Sequence, residues 1–292
     1  MLTTETNIWR WNGYSVNYES SGENGSAILL IHGFGASVGH WRKNIPQLGQ
    51  FCRCFALDLL GFGASAKPVP GQDIEYTIEA WAQQVNDFCR EVIGSPVFLI
   101  GNSIGCVIAL QAAVDNPEQV LGVAALNCSL RLLHERKRQE LPWYRNYGAV
   151  LLQNLISNLW IGRLFFRQIA QPKVVRNILS QAYCRQEAIT EELVDILLTP
   201  AKESGAAEVF LAFTRYSQGP LPEDLLPRLS CPVLLLWGVE DPWEPIELGR
   251  NLADFPAVED FIALEDIGHC PQDEAPEVVN EHLRRWIERH TH

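Results

Sequence analysis

The pentapeptide Gly101-Asn102-Ser103-Ile104-Gly105 constrains this chain more than any other stretch. It follows an apolar run at 97–100 and precedes a helix-like run at 106–116. A serine between two glycines at a strand-to-helix turn is typical of a nucleophile elbow, where a side chain at position 101 or 105 would collide with the neighbouring strand and helix. Such a turn lifts the Ser103 hydroxyl above the sheet and leaves the Ile104 N–H at a helix N-terminus. We predict that Ser103 is a nucleophile and that the Ile104 amide binds an oxyanion.

An acid and a histidine follow Ser103 in the order that a triad at strand ends requires. The apolar run at 233–237 leads to Asp241, and the strand-like run at 260–264 leads to His269. Because parallel strands end at one edge of a sheet, we expect these side chains to meet there. We assign Asp241 as the acid that orients the imidazole and His269 as the general base.

Three other acids need an interpretation beside this assignment. Glu240 directly precedes Asp241 and is the rival acid, and Asp266 is placed to cap the loop before His269. Asp58 follows the apolar run at 54–57, but it precedes the serine in the chain. We interpret Asp58 as a structural hydrogen-bond acceptor.

A second oxyanion donor is expected from the loop after an earlier strand. An apolar run at 27–31 leads into His32-Gly33-Phe34-Gly35, and the Phe34 amide is the natural candidate. Gly33 and Gly35 are expected to let the backbone approach the reacting centre without side chains in the way. We interpret His32 as a residue that orders this loop through hydrogen bonds, because His269 fits the role of base better.

A long helical insertion interrupts the strand pattern. The stretch between the runs at 122–126 and 233–237 far exceeds an ordinary crossover. Its pattern predicts helices at 143–160, 162–170, 173–183, 190–198 and 206–216. We predict a helical cap at 129–220, inserted after the sixth strand, over a core made of 1–128 and 221–292. A cap in that place would exclude water and shape the substrate pocket.

The predicted cap differs in charge from the rest of the chain. Residues 130–185 contain ten Lys or Arg and two acids, a net of +8, so the remainder carries −20 to give the total of −12. The same segment is rich in Trp, Tyr and Phe. Two interpretations stay open: an ordinary amphipathic cap packed on the core, or a peripheral contact with a lipid surface.

Composition limits the partners and the compartment. The net charge of −12 argues against a nucleic-acid partner, and no apolar run is long enough to span a membrane. The chain has no signal-like start, and its eight cysteines form no Cys-x-x-Cys pair, so we expect reduced, buried thiols in a cytoplasmic protein. Two of them, Cys106 and Cys270, flank the triad regions. No metal-ligand spacing is present, and we expect neither a metal nor a cofactor.

Together the motifs resemble the α/β-hydrolase superfamily across nearly the whole chain. They read His-Gly-Phe-Gly, Asp-x-x-Gly-Phe-Gly-x-Ser, Gly-Asn-Ser-x-Gly and Gly-His-Cys-Pro. The resemblance implies an α/β fold, with a mostly parallel sheet flanked by helices. Haloalkane dehalogenases and soluble epoxide hydrolases of this superfamily carry an aspartate at the elbow. The serine at position 103 therefore points to acyl transfer.

The stretches at 127–133, 241–245 and 268–276 look like the pheophytinase and chlorophyll dephytylase group of plants and cyanobacteria. Members of that group cleave the phytyl ester of chlorophyll pigments, in chlorophyll catabolism. Since plant members carry a transit peptide, this chain resembles the cyanobacterial form. The resemblance implies a large hydrophobic ester as substrate and a place in the cytoplasm or peripherally on the thylakoid membrane.

Other functions fit the same residues. One is a general esterase of lipids or small esters, and another is a carbon–carbon bond hydrolase that uses the same triad. An acidic diketone substrate would need an arginine in the pocket, and Arg42 is the candidate near the motifs in the core half. A third is a triad-bearing receptor with slow turnover, which would hydrolyse its ligand almost stoichiometrically.

Overall fold

The computed structural model describes residues 3–72, 74–138 and 159–291. In these ranges one eight-stranded sheet has the order β1-β2-β4-β3-β5-β6-β7-β8. The hairpin β1–β2 and the pair β2–β4 are antiparallel, and the other neighbouring pairs are parallel. The strands are β1 Glu5–Trp11, β2 Tyr14–Ser21, β3 Ala27–Ile31, β4 Arg53–Leu57, β5 Val97–Asn102, β6 Val120–Leu126, β7 Val233–Gly238 and β8 Val258–Leu264.

The central strands are buried on both faces. Every residue of β3, β5 and β7 is buried, as continuous apolar runs in a parallel sheet require. One face carries a core cluster that includes Trp81 and Val107, and the other face carries a cluster that includes Trp286. Helices cover both faces, so the two clusters are closed to solvent.

Seven helices of ten or more residues lie in the described ranges. They are α1 Ile78–Phe88, α2 Ile104–Asp115, α3 Leu159–Ile169, α4 Pro172–Ala182, α5 Glu191–Ala201, α6 Ala206–Arg215 and α7 Pro276–Arg289. Shorter α-helical turns lie at Ile45–Leu48, Glu135–Arg138, Pro222–Leu225, Ile246–Gly249 and Pro271–Glu274. The remaining helical turns are the 3₁₀ segments Val38–Trp41, Gln186–Ala188, Leu226–Arg228 and Arg250–Asp254 and the π segment Cys89–Ile93.

Local sequence signals explain where several helices begin. Thr77 caps α1 by accepting a hydrogen bond from the Ala80 N–H, and Thr190 caps α5 by accepting one from the Leu193 N–H. Pro172 starts α4, where its missing N–H costs no helical hydrogen bond.

The predicted architecture is confirmed, including the helices inserted between β6 and β7. The helix predicted at 190–198 continues to Ala201 through Pro200, which a final turn tolerates because only one hydrogen bond is lost. The helix predicted at 143–160 lies outside the described residues except for its last two, which begin α3. The predicted boundaries of core and cap stay predictions. None of the described helices combines the length and the hydropathy that crossing a membrane needs.

Candidate active site

Ser103 occupies a strained turn between β5 and α2. Its backbone φ is 56°, in the left-handed region that non-glycine residues rarely adopt. A Cβ on Gly101 would lie 2.4 Å from the Gly105 carbonyl carbon, and a Cβ on Gly105 would lie 2.4 Å from the Ile31 oxygen. Both glycines are therefore required by the close approach of strand and helix. The Ser103 N–H donates to the Leu126 oxygen at 3.1 Å, which ties the turn to β6.

Asn102 connects this turn to the loop that carries the histidine. Its side-chain N–H₂ donates to the backbone oxygens of Leu126 and His269, both at 3.1 Å. The residue beside the nucleophile thus fixes the height of the His269 loop above the sheet. Local sequence does not indicate a role for the Asn102 side chain, because one of its two partners, His269, is 167 positions away.

The structure brings Asp241 and His269 into direct contact. The His269 Nδ1 donates to the Asp241 Oδ2 at 2.7 Å. The same carboxylate accepts from the Asn127 side chain at 2.7 Å and from the backbone N–H groups of Trp243 at 2.8 Å and Glu244 at 3.1 Å. These hydrogen bonds fix the orientation of the carboxylate. With Nδ1 protonated, the Nε2 of His269 is left as an acceptor.

The other acids take different positions. Glu240 is exposed, and in the described part of the chain the acid bonded to the His269 imidazole is Asp241. Asp266 is also exposed, and the expectation that it caps the histidine loop is wrong. Glu274 does so, because its buried carboxylate accepts from the N–H groups of Gly268 at 3.0 Å and Cys270 at 3.4 Å.

The loop after β3 supplies the second amide expected at an oxyanion. Phe34 and Ile104 line the same cavity as Ser103, and among the described residues neither backbone N–H has a protein acceptor. A Cβ on Gly33 would lie 3.2 Å from the Ser103 Cβ, so this glycine does keep a side chain out of the site. Gly35 differs from the expectation: a Cβ there would meet open space, and its φ of +71° is what favours glycine.

His32 and Asp58 are built into the structure below the cavity. The His32 Nε2 accepts from the Leu59 N–H at 3.0 Å, so its Nδ1 carries the proton and donates to the Gly33 oxygen at 2.7 Å. Complete burial lowers the pKa of His32, which keeps the imidazole neutral. Asp58 is buried and accepts from the Val38 N–H at 2.7 Å.

Above these groups lies a largely apolar cavity of about 600 Å³. Ser103 and His269 form part of its wall, and aromatic and aliphatic side chains of α3 to α6 form the opposite part. The rings of Phe34 and Phe213 stack with their centroids 4.7 Å apart. Trp243 covers the imidazole of His269 edge-on at 4.9 Å. The arrangement presents a nucleophile, a base and two amides to an apolar ligand.

The insertion is bonded directly to the histidine loop. The His269 N–H donates to the oxygen of Ala182, the last residue of α4, at 2.8 Å. Next to it, the Tyr183 hydroxyl donates to Asp273 at 3.1 Å and accepts from the His40 Nε2 at 2.9 Å. Burial lowers the pKa of His40 to about 4, so this contact is one between neutral groups. Glu274 also accepts from the Cys184 N–H at 2.8 Å.

Two basic residues near the site have different surroundings. Arg42, the expected arginine, donates to Asp273 at 2.8 Å and lies outside the cavity wall. Lys67 instead lines the cavity, where its Nζ donates to the Gly63 oxygen at 2.7 Å and pairs with Glu203 at 2.6 Å. The cation that a ligand in the described cavity meets is therefore Lys67, already neutralised by an acid.

All eight cysteines are free, and only Cys184 is exposed. The buried Cys106 donates its thiol hydrogen to the Leu126 oxygen at 3.4 Å behind the elbow. Cys270 lines the cavity, and burial raises the pKa of its thiol well above the usual range. Since the thiolate is the reactive form, Cys270 is a poor nucleophile in this setting.

Glu244 is a cavity residue that is not predicted from the sequence. The residue is 8% exposed, and its carboxylate accepts from the Ser129 hydroxyl and the Leu130 N–H, both at 2.9 Å. Burial raises the pKa of Glu244 to about 7, although these hydrogen bonds lower it. The sequence does place this acid three positions after Asp241. Its burial could not be predicted from that, because the residues that bind its carboxylate are more than a hundred positions away.

This raised pKa predicts a pH-dependent stability. Between the ordinary pKa of 4.5 and about 7, the folded state retains the Glu244 proton that the unfolded chain has lost. The contribution of Glu244 to the free energy of unfolding therefore falls as pH rises through this window. Glu244→Gln removes the titration, so its stability relative to wild type should rise by about 2 to 3 kcal/mol between about pH 5 and pH 8.

Urea unfolding at the two pH values measures this difference. Glu240→Gln, at an exposed neighbouring glutamate, is the matched control and should differ from wild type equally at both pH values. A stability difference for Glu244→Gln that does not change with pH would contradict the raised pKa.

Comparison with known proteins places these features in context. A model described as "Alpha/beta hydrolase family" matches residues 28–282. The Arabidopsis thaliana protein named "Pheophytinase, chloroplastic" is 28% identical, over 93% of this chain and 64% of its own length. The Bacillus subtilis "Uncharacterized hydrolase YugF" is 29% identical, over 94% of both chains. The 2-hydroxy-6-oxo-6-(2'-aminophenyl)hexa-2,4-dienoic acid hydrolase of Metapseudomonas resinovorans is 26% identical, over 91% of this chain and 84% of its own.

Solved structures share the fold over almost the whole chain. A bacterial membrane phospholipase A superposes with a TM-score of 0.76 at 25% identity, over 98% of this chain and 86% of its own. The epoxide hydrolase CorEH superposes with a TM-score of 0.80 at 21% identity, over 98% and 99% of the two chains. The second likeness concerns the fold alone.

Proposed function

Since the chain belongs to the alpha/beta hydrolase family, we propose that it is a serine hydrolase that cleaves a carboxylic ester. One observation carries the proposal: Ser103 on its strained turn faces the same cavity as His269, whose imidazole is bonded to Asp241 at 2.7 Å. A serine in that place favours acyl transfer over the alkyl-enzyme chemistry that an aspartate would support.

The proposed reaction has two steps. In the first, the Ser103 oxygen attacks the ester carbonyl while the His269 Nε2 takes the hydroxyl proton. The Phe34 and Ile104 amides donate to the oxyanion, and the imidazolium gives its proton to the leaving alcohol. In the second, His269 takes a proton from water as the water oxygen attacks the acyl carbonyl. The bond to the Ser103 oxygen then breaks, the imidazolium returns the proton to that oxygen, and the acid is released. Asp241 stabilises the imidazolium in both steps, and the reaction needs no cofactor or metal.

We further propose that the substrate is a large hydrophobic ester, and specifically the phytyl ester of chlorophyll or pheophytin. The apolar wall of the cavity supports this, because burying a long alkyl chain contributes about 0.8 kcal/mol per CH₂. The similarity to the protein named pheophytinase supports the same substrate class. A short ester would use little of the apolar surface that α3 to α6 present.

Incubation with detergent-solubilised chlorophyll a or pheophytin a tests the substrate. Wild type should convert at least one pigment to its dephytylated acid and free phytol, both resolved by chromatography, and Ser103→Ala should yield neither. If both pigments stay intact while short acyl esters turn over rapidly, a general esterase replaces the pigment proposal. Hydrolysis that stops after about one equivalent per protein would favour the slow receptor instead.

A carbon–carbon bond hydrolase is the second candidate, because the M. resinovorans relative is named for that reaction. Such an acidic substrate would need a cation, and Lys67 is the one that the cavity wall offers. Its pairing with Glu203 leaves little charge to hold a carboxylate, which favours the ester. Cleavage of a ring-fission diketone that Lys67→Met abolishes, with short-ester hydrolysis retained, would support the second candidate.

A further inference from the structure

Ion pairs with acidic side chains neutralise part of the basic charge of the insertion. Several bases of the segment 130–185 pair with acids that lie beyond it: Arg136 with Asp224, Lys137 with Glu223, Arg163 with Glu208 and Arg176 with Glu191. The net of +8 counted along the sequence therefore overstates the charge that reaches solvent. The surface around Arg136 and Lys137 is therefore close to neutral. A lipid contact would instead need a surface where exposed basic side chains and exposed apolar side chains lie together.

Exposed basic and exposed apolar side chains lie together on α3. Trp160, Arg163, Leu164 and Arg167 follow the spacing i, i+3, i+4, i+7, which places them on one face of the helix. Trp160 is 74% exposed and Leu164 46% exposed, and both arginines are also exposed. We call these four residues the α3 face.

The adjoining helix extends this surface. On α4, Val174 is 37% exposed and follows the exposed Lys173. Helices α3 and α4 together contain four Lys or Arg and no Asp or Glu. An exposed tryptophan and leucine beside Arg167 and Lys173, with Arg163 paired to Glu208 of α6, is the composition of a surface that lies in the interface of an anionic lipid layer.

The α3 face lies beside a second cleft that adjoins the cavity. This cleft of about 580 Å³ is lined by Arg163, Arg167 and neighbouring residues of α5 and α6. It shares Phe166, Ala170 and Ala201 with the cavity that contains Ser103. Arg163 and Arg167 thus line the cleft and Phe166 lines both spaces, while Trp160 and Leu164 on the same helix are exposed.

We propose that the α3 face docks on an anionic lipid surface and that the ester passes from the lipid through the adjoining cleft to Ser103. The inference rests on the proposed function for the reaction at the end of this path. Its physical basis is that Trp160 and Leu164 leave water for the lipid interface, while Arg167 and Lys173 approach anionic headgroups. A long hydrophobic ester then reaches the cavity without crossing bulk water.

Cosedimentation with two kinds of vesicle tests the docking. Wild type should bind vesicles of phosphatidylcholine with phosphatidylglycerol, bind phosphatidylcholine vesicles weakly, and lose the difference at high salt. Arg167→Glu should weaken binding to the anionic vesicles by roughly fivefold or more, since it reverses a charge at the surface. Trp160→Ser combined with Leu164→Ser should weaken binding to both kinds.

Two variants at exposed positions away from α3 and α4 serve as matched controls. Arg228→Glu changes an exposed arginine outside α3 and α4, and Ile8→Ser changes a 59% exposed apolar residue on β1. Both should bind as wild type does. Thermal unfolding verifies that each variant is folded, and Arg167→Glu, at an exposed position, keeps the test available if the double variant unfolds.

Activity separates this inference from the proposed function. The Trp160→Ser, Leu164→Ser double variant should hydrolyse a short soluble ester at the wild-type rate and a long-chain ester in anionic vesicles much more slowly. Wild type that hydrolyses the soluble ester but ignores vesicles, or binds them regardless of salt and variant, overturns the docking alone. Concentration-dependent self-association that the double variant abolishes also overturns it, in favour of a contact between copies. If wild type does not hydrolyse the soluble ester at all, the proposed function is overturned.

Discussion

Ser103→Ala should lower ester turnover by roughly 10⁵- to 10⁶-fold and leave the fold intact. The large loss is expected because the reaction has no other nucleophile at this position in the cavity, and the base then has no hydroxyl proton to take. The fold should persist because alanine keeps the Cβ and the backbone contacts of the turn. In those contacts the Ser103 N–H donates to the Leu126 backbone oxygen, and the Ser103 backbone oxygen accepts from the N–H groups of Cys106 and Ser129.

Steady-state kinetics with a chromogenic ester measures this loss, and circular dichroism verifies the fold. A serine-directed fluorophosphonate followed by peptide mass spectrometry should label Ser103 alone in wild type. Ser129→Ala, which removes the hydroxyl bonded to Glu244, serves as the control and should still be labelled at Ser103. Label at another residue, or wild-type turnover in Ser103→Ala, would remove Ser103 from the mechanism.

Asp241→Asn should lower turnover by about 10⁴-fold. The carboxylate oxygen bonded to His269 also accepts from the Asn127 amide, while the other oxygen accepts from two backbone N–H groups. If the new amide N–H₂ faces His269, the imidazole must move its proton to Nε2, which can then no longer accept the Ser103 proton. If the amide turns over, its N–H₂ faces two backbone donors instead.

Glu240→Gln is the natural comparison, since Glu240 is the adjacent acid and is exposed. It should change turnover less than about threefold, because surface substitutions away from the site have small effects. Parallel measurement of kcat and KM for the two variants, with unfolding curves, provides the test. A larger loss for Glu240→Gln than for Asp241→Asn would show that the acid has been assigned one residue too late.

Much of the site's framework follows from local sequence. Continuous apolar runs predict the central strands, and short motifs directly after them predict which residues reach the sheet edge. That is why Asp241 and His269, 28 positions apart, could be expected to meet. The requirement for glycine at 101 and 105 was predictable as well, because a tight strand-to-helix turn leaves no space for a side chain.

The remaining contacts were not predictable because they join distant segments. The Glu274 carboxylate caps the histidine loop and also binds the Cys184 N–H, 90 positions away, which no local pattern indicates. The same holds for Glu244 on Ser129. The charge of the insertion was counted correctly from the sequence, but the acids that neutralise it lie in later helices, so its exposed part could be located only from the fold.

The hydrogen bond from the His269 N–H to the Ala182 oxygen limits how this enzyme can diversify. A lid that merely covered the site could be exchanged between relatives to change substrate range while catalysis stayed constant. Here the end of α4 supports the loop of the base, and Tyr183 is held by Asp273 of the same loop region. A lid transferred from a relative would therefore have to keep the end of α4 and Tyr183 of the protein that receives it. Changes of specificity in such a lineage should accumulate far from that junction, in α3 and α6, or arise together with compensating changes around His269.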